Sequence, residues 1–437
     1  MSYSDSQAVS SVEQSSTRID VWSRQDTTWM LGLYGTAIGA GTLFLPINAG
    51  IGGLWPLLFI ALLALPLTFF AHRGLNRFVL SGSSRDADIT EVVEEHFGLT
   101  AGKLITLLYF FAIYPILLVY SVAITNTVLS FLNHQLHIDV GTGVGARAVF
   151  SLALILALMS IVRLGGPFIV KAMSILVYPF VCALMLLALY LIPNWNTALF
   201  TQSVSLGSAL THGSFYRTLW LVIPVMVFSF NHSPIISSFA LGQKKNHPDC
   251  TDRASNRILL RAHVMMVVSV MLFVFSCVLS LSPVDLLQAK QQNISILSYL
   301  ANHFRNPVIE WIAPIIAMVA ISKSFLGHYL GAKEGLNGLM TKALRQRGKP
   351  VNTASLDRYT AIFMILTCWA VATFNPSILG MIESLGGPVI ALLLFLMPMY
   401  AIRKVPAMRK FAGKASNVFV VTIGLIAISA IFFGLFA

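Results

Sequence analysis

Charged residues are scarce in this sequence: Asp, Glu, Lys and Arg make up only 11% of its 437 residues. Soluble domains carry about 25% of such residues. Hydrophobic residues make up 56% instead, and they recur in runs close to the ~20 residues that a helix needs to cross a bilayer. This composition excludes an ordinary soluble enzyme or binding domain and predicts an all-α polytopic membrane protein.

Cysteine is rare in this sequence, and a signal-peptide pattern is absent. The four cysteines are Cys182, Cys250, Cys277 and Cys368, and their wide spacing fits neither a zinc site nor a disulfide framework. The sequence therefore implies no metal site and no organic cofactor. The first residues lack the basic and apolar regions of a signal peptide, so we expect residues 1–28 to form a flexible cytoplasmic tail.

Eleven apolar segments are predicted to cross the membrane, and an odd number places the two termini on opposite sides. They are numbered span one to span eleven and lie at 29–50, 54–79, 103–132, 146–163, 168–193, 216–241, 258–282, 308–331, 357–374, 377–401 and 416–436.

The positive charge is distributed unevenly between the two sides of this predicted topology. Of the 29 Lys and Arg residues, 24 fall on the side of the N-terminus, four fall on the other side, and Lys323 lies inside a span. The positive-inside rule then places the N-terminus in the cytoplasm and the C-terminus in the periplasm. This asymmetry accounts for the net charge of +12 without a nucleic-acid partner.

Span one contains a cluster of glycines where a membrane helix is normally regular. Gly35, Gly39 and Gly41 fall close together, and Pro46 follows them. Each glycine in a helix interior costs roughly 1 kcal/mol relative to alanine. An opened backbone is tolerated at membrane depth only where it is buried in protein or lines a cavity. We therefore predict a break in this helix that binds a small polar solute.

Span six has a second interruption, with Ser229, Asn231, His232 and Ser233 preceding Pro234. Proline removes a backbone donor and clashes with the preceding turn, and a histidine at bilayer depth is a functional-site hypothesis. The alternative is a kinked helix whose polar side chains only bond to neighbouring helices.

The two interruptions lie five spans apart, and this odd offset inverts the second half of the chain relative to the first. Paired broken helices in inverted halves indicate the substrate site of a secondary transporter. Half-helix N-termini suit a carboxylate, and exposed carbonyls suit an ammonium group or a cation. Together the two breaks favour an amino acid as the substrate.

The sequence resembles bacterial permeases of the hydroxy/aromatic amino acid family, within the amino acid–polyamine–organocation superfamily. The resemblance extends from about residue 22 to the end of the chain, and its most specific stretches are WMLGLYGTAIGAGTLFLPINAG (29–50), DITEVVEEHFG (88–98), LITLLYFFAIYPILLVYSVAITNT (104–127), VMVFSFNHSPIISSF (225–239), NISILSYLANHF (293–304), KSFLGHYLGAKEGLNG (323–338) and NPSILGMIESLGGP (375–388).

The resemblance implies a LeuT-type fold of two inverted repeats of five helices each, with broken helices one and six and an eleventh helix added. It divides the chain into a transport core over 29–401, with repeats at 29–193 and 216–401, followed by a cytoplasmic link and an eleventh span at 402–437. It also implies uptake of L-serine by proton symport at the bacterial inner membrane. The implied partners are thus L-serine, protons and the lipid bilayer.

The resemblance places the carboxylate and amino group of the substrate at the two breaks. Tyr114 and Ser121 on span three are further candidates to face the pocket, although a central aromatic ring serves packing equally well. Asn231 and His232 are the candidate partners of a substrate hydroxyl. The predicted substrate-binding residues are Thr36, Ala37, Gly39, Ala40, Gly41, Tyr114, Phe228, Ser229, Phe230, Asn231, His232 and Ser233.

Lys323 is the preferred candidate for ion coupling, because an ammonium group inside a membrane span is costly and is retained for function. Lys323 could carry the coupling proton, or it could act as a fixed positive charge. Lys171 in span five is the rival, although its position also suits a lysine that snorkels to the interface. Glu383 in span ten is a third titratable candidate. Ser322 and Ser324 would bind sodium if the coupling ion were Na⁺.

Two other functions remain as alternatives. The first is a sodium-coupled or exchange permease for threonine or another neutral amino acid. The second is a sensor that binds an amino acid without transporting it. An intramembrane enzyme would need a paired nucleophile and base or a pair of metal-binding histidines, and a channel would need a continuous polar stripe. The sequence has neither feature, so we predict that the protein is not an enzyme.

Overall fold

The computed structural model describes residues 22–84, 89–141, 143–162, 166–201, 205–211, 213–348 and 350–436, and none of these residues forms a β-strand. The α-helices, in chain order, are α1 (Arg24–Ala37), α2 (Leu45–Ile51), α3 (Leu54–Leu80), α4 (Ile89–His134), α5 (Val144–Val162), α6 (Gly166–Tyr190), α7 (Ala198–Thr201), α8 (Leu206–Thr211), α9 (Gly213–Ser229), α10 (Ser233–Asn246), α11 (Thr251–Leu279), α12 (Pro283–Gln292), α13 (Ile296–His303), α14 (Pro307–Gln346), α15 (Thr353–Phe374), α16 (Ile378–Met381), α17 (Gly387–Ala391), α18 (Met397–Lys404) and α19 (Ala415–Phe436).

In the part of the chain that the structure describes, ten of the predicted spans are long and apolar enough to cross a membrane, if each bent pair counts as one span. Eight are single segments, and two are bent pairs that join α1 to α2 at 46° and α9 to α10 at 49°. The bent pairs are spans one and six, so both predicted interruptions are present. Span nine corresponds to α15, a helix of 22 residues that is not among these ten because its first turns are polar. The count of eleven spans stays a prediction.

Several helices extend beyond the predicted spans. The helix of span one begins at Arg24, where Ser23 and Asp26 form a capping box. Residues 24–28, which were predicted to belong to the tail, are therefore helical. Residues 1–21 lie outside the described part of the chain. Helix α4 begins at Ile89, before span three, and is kinked at Gly98, whose φ of 82° favours glycine. In span eight, α14 continues to Gln346.

Span ten is not a regular α-helix around Gly386, Gly387 and Pro388. A π-helical turn at Ile382–Gly386 lies between α16 and α17, and a second one at Leu392–Leu396 lies between α17 and α18. A π-turn widens the helix and occurs frequently at functional sites. A side chain at Gly387 would collide with the carbonyl oxygen of Pro224, so this glycine lets span ten pack closely against α9.

Small residues also bring α14 against α4. A Cβ atom at Gly331 would lie 3.4 Å from Ile113, and one at Gly335 would lie 3.5 Å from the Cβ atom of Phe110. Van der Waals packing at small residues is one of the sources of helix association in lipid. The packing of α14 on α4 places Lys323, which lies earlier in α14, beside the broken helices.

The bundle has two ends that differ in charge. The first, called the basic end, is formed by the starts of α1 and α11 and the ends of α3 and α10. Arg77 pairs with Asp252 there at 2.9 Å, and His247 pairs with the buried Asp26 at 2.9 Å. The other, called the opposite end, carries the short helices α12 and α13.

Helix α12 is stabilised at its start by a capping box. The Ser282 hydroxyl accepts a hydrogen bond from the Asp285 N–H at 3.2 Å, and the Asp285 carboxylate accepts one from the Ser282 N–H at 2.8 Å. Burial alone would raise the pKa of Asp285, but the hydrogen bonds from Ser282 and the nearby His303 and Tyr299 outweigh it and hold the pKa below its ordinary value of 3.8.

Replacing Asp285 with asparagine should therefore lower thermal stability by about 1 kcal/mol at neutral pH. The lowered pKa means that the ionised carboxylate stabilises the folded state above the unfolded pKa near 3.8. This contribution is lost as the pH falls through the lower folded pKa, so the two proteins should converge in strong acid. Thermal unfolding of both proteins at pH 7 and at decreasing pH tests this, and an equal difference at every pH would contradict it.

Candidate functional site

The break in span one follows from the glycines and the proline. Helix α1 ends at Ala37, Gly39 is extended (φ −136°, ψ −161°), and a 3₁₀ turn covers Ala40–Leu43 before α2 begins. Pro46 lies in the first turn of α2, where its missing N–H costs nothing. Backbone N–H and carbonyl groups between α1 and α2 thus lie outside a regular α-helix and are available to bind a ligand.

The break in span six lies directly against the break in span one. The Ser229 hydroxyl donates a hydrogen bond to the Gly41 carbonyl at 3.0 Å. A Cβ atom at Gly41 would lie 3.0 Å from the Phe228 ring and 3.2 Å from the Ser229 Cα atom. The close approach of the two backbones therefore explains why glycine occupies position 41.

Asn231 and Ser233 shape the start of the second half of span six. The Ser233 N–H donates to the Asn231 side-chain oxygen at 3.1 Å. This side chain therefore satisfies one of the free N–H groups at the start of α10. Both residues are partly exposed, and the amide nitrogen of Asn231 can still donate to a ligand.

Helix α14 completes the site through Ser324 and Lys323. The Ala40 N–H donates to the Ser324 hydroxyl at 3.1 Å. The Lys323 ammonium donates to the carbonyl oxygens of Gly35 and Ile38, each at 3.4 Å. These carbonyls lie at the C-terminal end of α1, where the helix dipole is negative.

The surroundings of Lys323 lack an acidic partner. The residue is only 6% exposed, and its ammonium lies 5.4 Å from the centre of the Phe180 ring. No carboxylate of the described residues forms an ion pair with it. Its charge is therefore compensated by the two α1 carbonyls and by the aromatic ring.

A cavity of about 430 Å³ extends from the two breaks towards the basic end. It lies within the range of small-molecule sites in proteins, roughly 300–1,000 Å³. Thr36 is exposed in it. The lining residues are Thr28, Leu31, Gly32, Gly35, Thr36, Ile113, Val177, Tyr178, Pro234, Ile235, Lys323, Ser324, Gly327, His328 and Gly331.

Aromatic side chains cover the opposite side of the breaks. The Phe228 ring lies between Gly41 and Gly386, because a Cβ atom at either glycine would come within 3.0 Å of it. The Tyr120 ring is 6.0 Å from Phe228 and 5.2 Å from His328, measured between ring centres. Phe228 and Tyr120 therefore pack beside the breaks.

Tyr120 is a residue that sequence reasoning missed, whereas Tyr114 does not lie at the breaks. Tyr114 stacks on Phe110 and Phe363 at 5.0 and 5.6 Å and so packs between α4 and α15. The two tyrosines are six residues apart, which is about 240° around a helix. Only one of them can face the breaks, and the sequence contained no signal to choose between them.

His232 also turns away from the breaks. Its ring stacks on His72 at 3.6 Å between ring centres and lies 4.9 Å from His263. Among the other predicted residues, Ala37 and Phe230 are buried, and Ser121 is buried and bonds to the Leu118 carbonyl.

The remaining predicted coupling residues are not gathered at the breaks. Ser322 is partly buried and does not line the cavity. The side chain of Lys171 lies outside the described part of the structure. Glu383 lies at the opposite end, where it accepts hydrogen bonds from Asn48 at 2.5 Å and from Lys290 at 3.2 Å. Of the candidates whose side chains are described, only Lys323 and Ser324 adjoin both the cavity and the break in span one.

The contact of Glu383 with Asn48 and Lys290, called the polar latch, joins three elements at the opposite end. Asn48 belongs to α2, Lys290 to α12, and Glu383 to the first π-turn of span ten. The Lys290 ammonium also donates to the Asn48 side-chain oxygen at 3.2 Å. A second contact runs from Asn293 to Asn375 at 2.9 Å. The opposite end is thus held together while the cavity lies on the side of the basic end.

Replacing Glu383 with glutamine should favour conformations that are open at the opposite end. The change removes the ion pair with Lys290, which is worth about 1 kcal/mol, or roughly fivefold in a population ratio. Spin labels at Leu287 and Leu385, in a background without the native cysteines, report the distance across the latch. The longer distances should become more populated. An unchanged distribution, as expected for the control Glu310→Gln, would contradict a latch role.

The chain is similar to known permeases and transporters over nearly its whole length. The model of the tryptophan/tyrosine permease family matches residues 28–436. The chain is 68% identical over 417 residues to the serine transporter SdaC of Escherichia coli K12, covering 95% of this chain and 96% of the relative. It is 67% identical over the same length to the serine transporter SdaC of Shigella flexneri, with the same coverage.

Solved structures show the fold. A mutant of the manganese transporter from Eremococcus coleocola is similar with a TM-score of 0.61 at 11% identity, covering 92% of this chain and 84% of that one. MhsT in complex with L-phenylalanine is similar with a TM-score of 0.51 at 15% identity, covering 95% and 98%. Both have the LeuT-type fold, which confirms the predicted fold class, while the division into five plus five helices stays a prediction.

The relatives named here are transporters, as the sequence predicts, and not enzymes. The matches cover nearly the whole chain, including both breaks and the eleventh predicted span. The chain is therefore a multi-span membrane transport protein, and it belongs to the tryptophan/tyrosine permease family.

Proposed function

We propose that this chain imports L-serine across the bacterial inner membrane by proton symport with alternating access. The observation that carries the proposal is the position of Lys323, whose ammonium bonds to two carbonyls at the end of α1 beside the break. Serine as the substrate is supported by the relatives that are 68% and 67% identical and are named serine transporters.

The proposed substrate site lies between the breaks on the cavity side. The carboxylate would bind N–H groups near Gly39 and Gly41, and the ammonium would bind carbonyls at the end of the first half of span six. Because His232 is turned away, Asn231 is the proposed partner of the substrate hydroxyl. The exposed hydroxyl of Thr36 adds a second polar group at the cavity wall.

The coupling step follows from what the Lys323 ammonium holds in place. When it is charged, it donates to the carbonyls of Gly35 and Ile38 and stabilises the negative end of α1. Loss of its proton removes the charge and weakens both contacts, so α1 is less firmly held on α14. Proton binding and the position of α1 would thereby influence each other, as linkage requires.

The proposed orientation places the basic end in the cytoplasm. The ends of α3 and α10 and the start of α11 carry Arg73, Arg77, Lys244, Lys245 and Arg253, and the positive-inside rule assigns such residues to the cytoplasmic side. The N-terminus would then be cytoplasmic and the C-terminus periplasmic. The cavity would open to the cytoplasm in the conformation described.

The proposal is tested by uptake of labelled L-serine into proteoliposomes under an imposed proton gradient or an imposed sodium gradient. Accumulation with protons and without sodium is the expected result. Accumulation only with sodium would overturn proton coupling and direct attention to Ser324 and the carbonyls of span one. Serine binding without uptake under any gradient would overturn transport and indicate a sensor.

A further inference from the structure

Three histidines from distant parts of the sequence meet inside the bundle. His72 belongs to α3, His232 precedes α10, and His263 belongs to α11. Their exposed fractions are 1%, 0% and 0%. The His263 ring lies 5.3 Å from His72 and 4.9 Å from His232 between ring centres, and the other two rings stack at 3.6 Å. One ring nitrogen from each residue lies within 4.8 Å of the others.

The backbone holds all three rings in the same hydrogen-bonding state. The Nδ1 atom of each ring lies within 2.9 Å of a backbone carbonyl oxygen, and a carbonyl can only accept, so Nδ1 carries the hydrogen and Nε2 keeps its lone pair. These carbonyls belong to Thr68 for His72 (2.8 Å), to Phe230 for His232 (2.9 Å) and to Leu259 for His263 (2.6 Å).

The free nitrogens lack adequate partners. The Nε2 atoms of His232 and His263 are buried without any hydrogen bond, and Nε2 of His72 accepts only a long bond of 3.3 Å from the His232 N–H. A buried acceptor without a donor is costly, and here the three rings that carry these nitrogens lie against one another. A single electron-pair acceptor between the rings would satisfy all three.

We infer that the histidine cluster, formed by His72, His232 and His263, is a site for one Zn²⁺ ion. Zinc prefers imidazole nitrogen, and a three-histidine site leaves a fourth position open. Zinc-binding histidines usually donate their second ring N–H to a carbonyl or carboxylate, as all three do here. Binding displaces no proton, because each neutral imidazole keeps its Nδ1 hydrogen and uses its Nε2 lone pair.

The rings must move a short distance to share an ion. Zn–N bonds of about 2.0–2.1 Å place the ligand atoms of a tetrahedral site about 3.4 Å apart, so the nitrogens must approach one another. One ring of the stacked pair must also turn so that both lone pairs point to the ion. Because His232 adjoins the break in span six, the bound ion would fix this break to α3 and α11.

The test uses the full chain, purified without a polyhistidine tag, and titrated with Co²⁺ as a spectroscopic substitute for Zn²⁺. One equivalent should bind with the visible absorption of a tetrahedral site, and Zn²⁺ should displace it. His72→Gln and His263→Gln should each weaken binding about tenfold or more. His134→Gln, which changes a histidine outside the cluster, should bind as the unmodified protein does.

His263→Cys separates metal binding from packing, because a thiolate is also a zinc and cobalt ligand. This variant should keep Co²⁺ binding and add a charge-transfer band in the near ultraviolet. If the glutamine variants do not fold, this band decides alone: its presence supports the site and its absence overturns it. Equal Co²⁺ binding by the folded double variant His72→Gln/His263→Gln, or no binding by the unmodified protein, would also overturn it.

Discussion

Replacing Lys323 with alanine should abolish serine accumulation driven by a proton gradient while leaving serine exchange intact. The Lys323 side chain is the only one of the predicted coupling residues that bonds to the α1 carbonyls in the part of the chain that the structure describes. Without it, the movement of α1 is no longer linked to a proton, so serine should only equilibrate across the membrane. Uptake and counterflow in the same proteoliposomes measure the two activities separately.

Lys323→Arg distinguishes a proton carrier from a fixed positive charge. Arginine keeps the charge but does not release its proton in proteins, so it should also fail to accumulate serine if Lys323 carries the proton. If the lysine is only a fixed charge, the arginine variant should retain accumulation. The control is Lys333→Ala, which removes a partly exposed ion pair with Asp357 and should have little effect. Proton-driven accumulation by Lys323→Ala would contradict the coupling role.

The breaks were predictable because their causes are local. Gly39 and Gly41 weaken a helix wherever they stand, and Pro234 interrupts one through its own covalent ring. These effects act over a few residues and need no tertiary contact. The spacing of the two breaks then indicated that they meet, and the hydrogen bond between Ser229 and Gly41 shows that they do.

The inward-facing side of each helix was not predictable in the same way. Spans three and eight are apolar almost all round, so they show no amphipathic pattern that would mark one face. The sequence therefore predicts Tyr114 at the pocket, whereas Tyr120 faces the breaks. Lys323 was identified correctly as a buried charge, because a lone charge in an apolar span is conspicuous whatever its neighbours are.

The histidine cluster shows a further limit of sequence reasoning. His72, His232 and His263 are separated by 160 and 31 residues, and each stands alone in its own span. No pair has the spacing of a motif on one helix face. Only the packing of α3, α10 and α11 brings them together, and the sequence suggested a role at the substrate for His232 that its orientation does not support.

Replacing Gly41 with valine should have the second large effect, a loss of serine affinity. A Cβ atom at this position would lie 3.0 Å from the Phe228 ring and 3.2 Å from the Ser229 Cα atom. The ring can turn, but a backbone atom cannot move without shifting the span-six break. Overpacking of this kind costs about 1–3 kcal/mol. Because relieving it shifts the backbone groups proposed to bind serine, affinity should fall about fivefold or more. Equilibrium binding of labelled serine to the purified protein measures it.

Gly338→Ala, inside α14 and outside the cavity lining, is the matched control. A Cβ atom there would have no atom within 4 Å, and alanine stabilises a helix interior by roughly 1 kcal/mol relative to glycine. This variant should bind serine as the unmodified protein does and should be at least as stable to heat. Gly41→Ala should fall between the two, because it adds one atom at the contact. If Gly41→Val folds and binds serine with unchanged affinity, the substrate does not depend on the contact between the two breaks, and the proposed site lies elsewhere in the cavity.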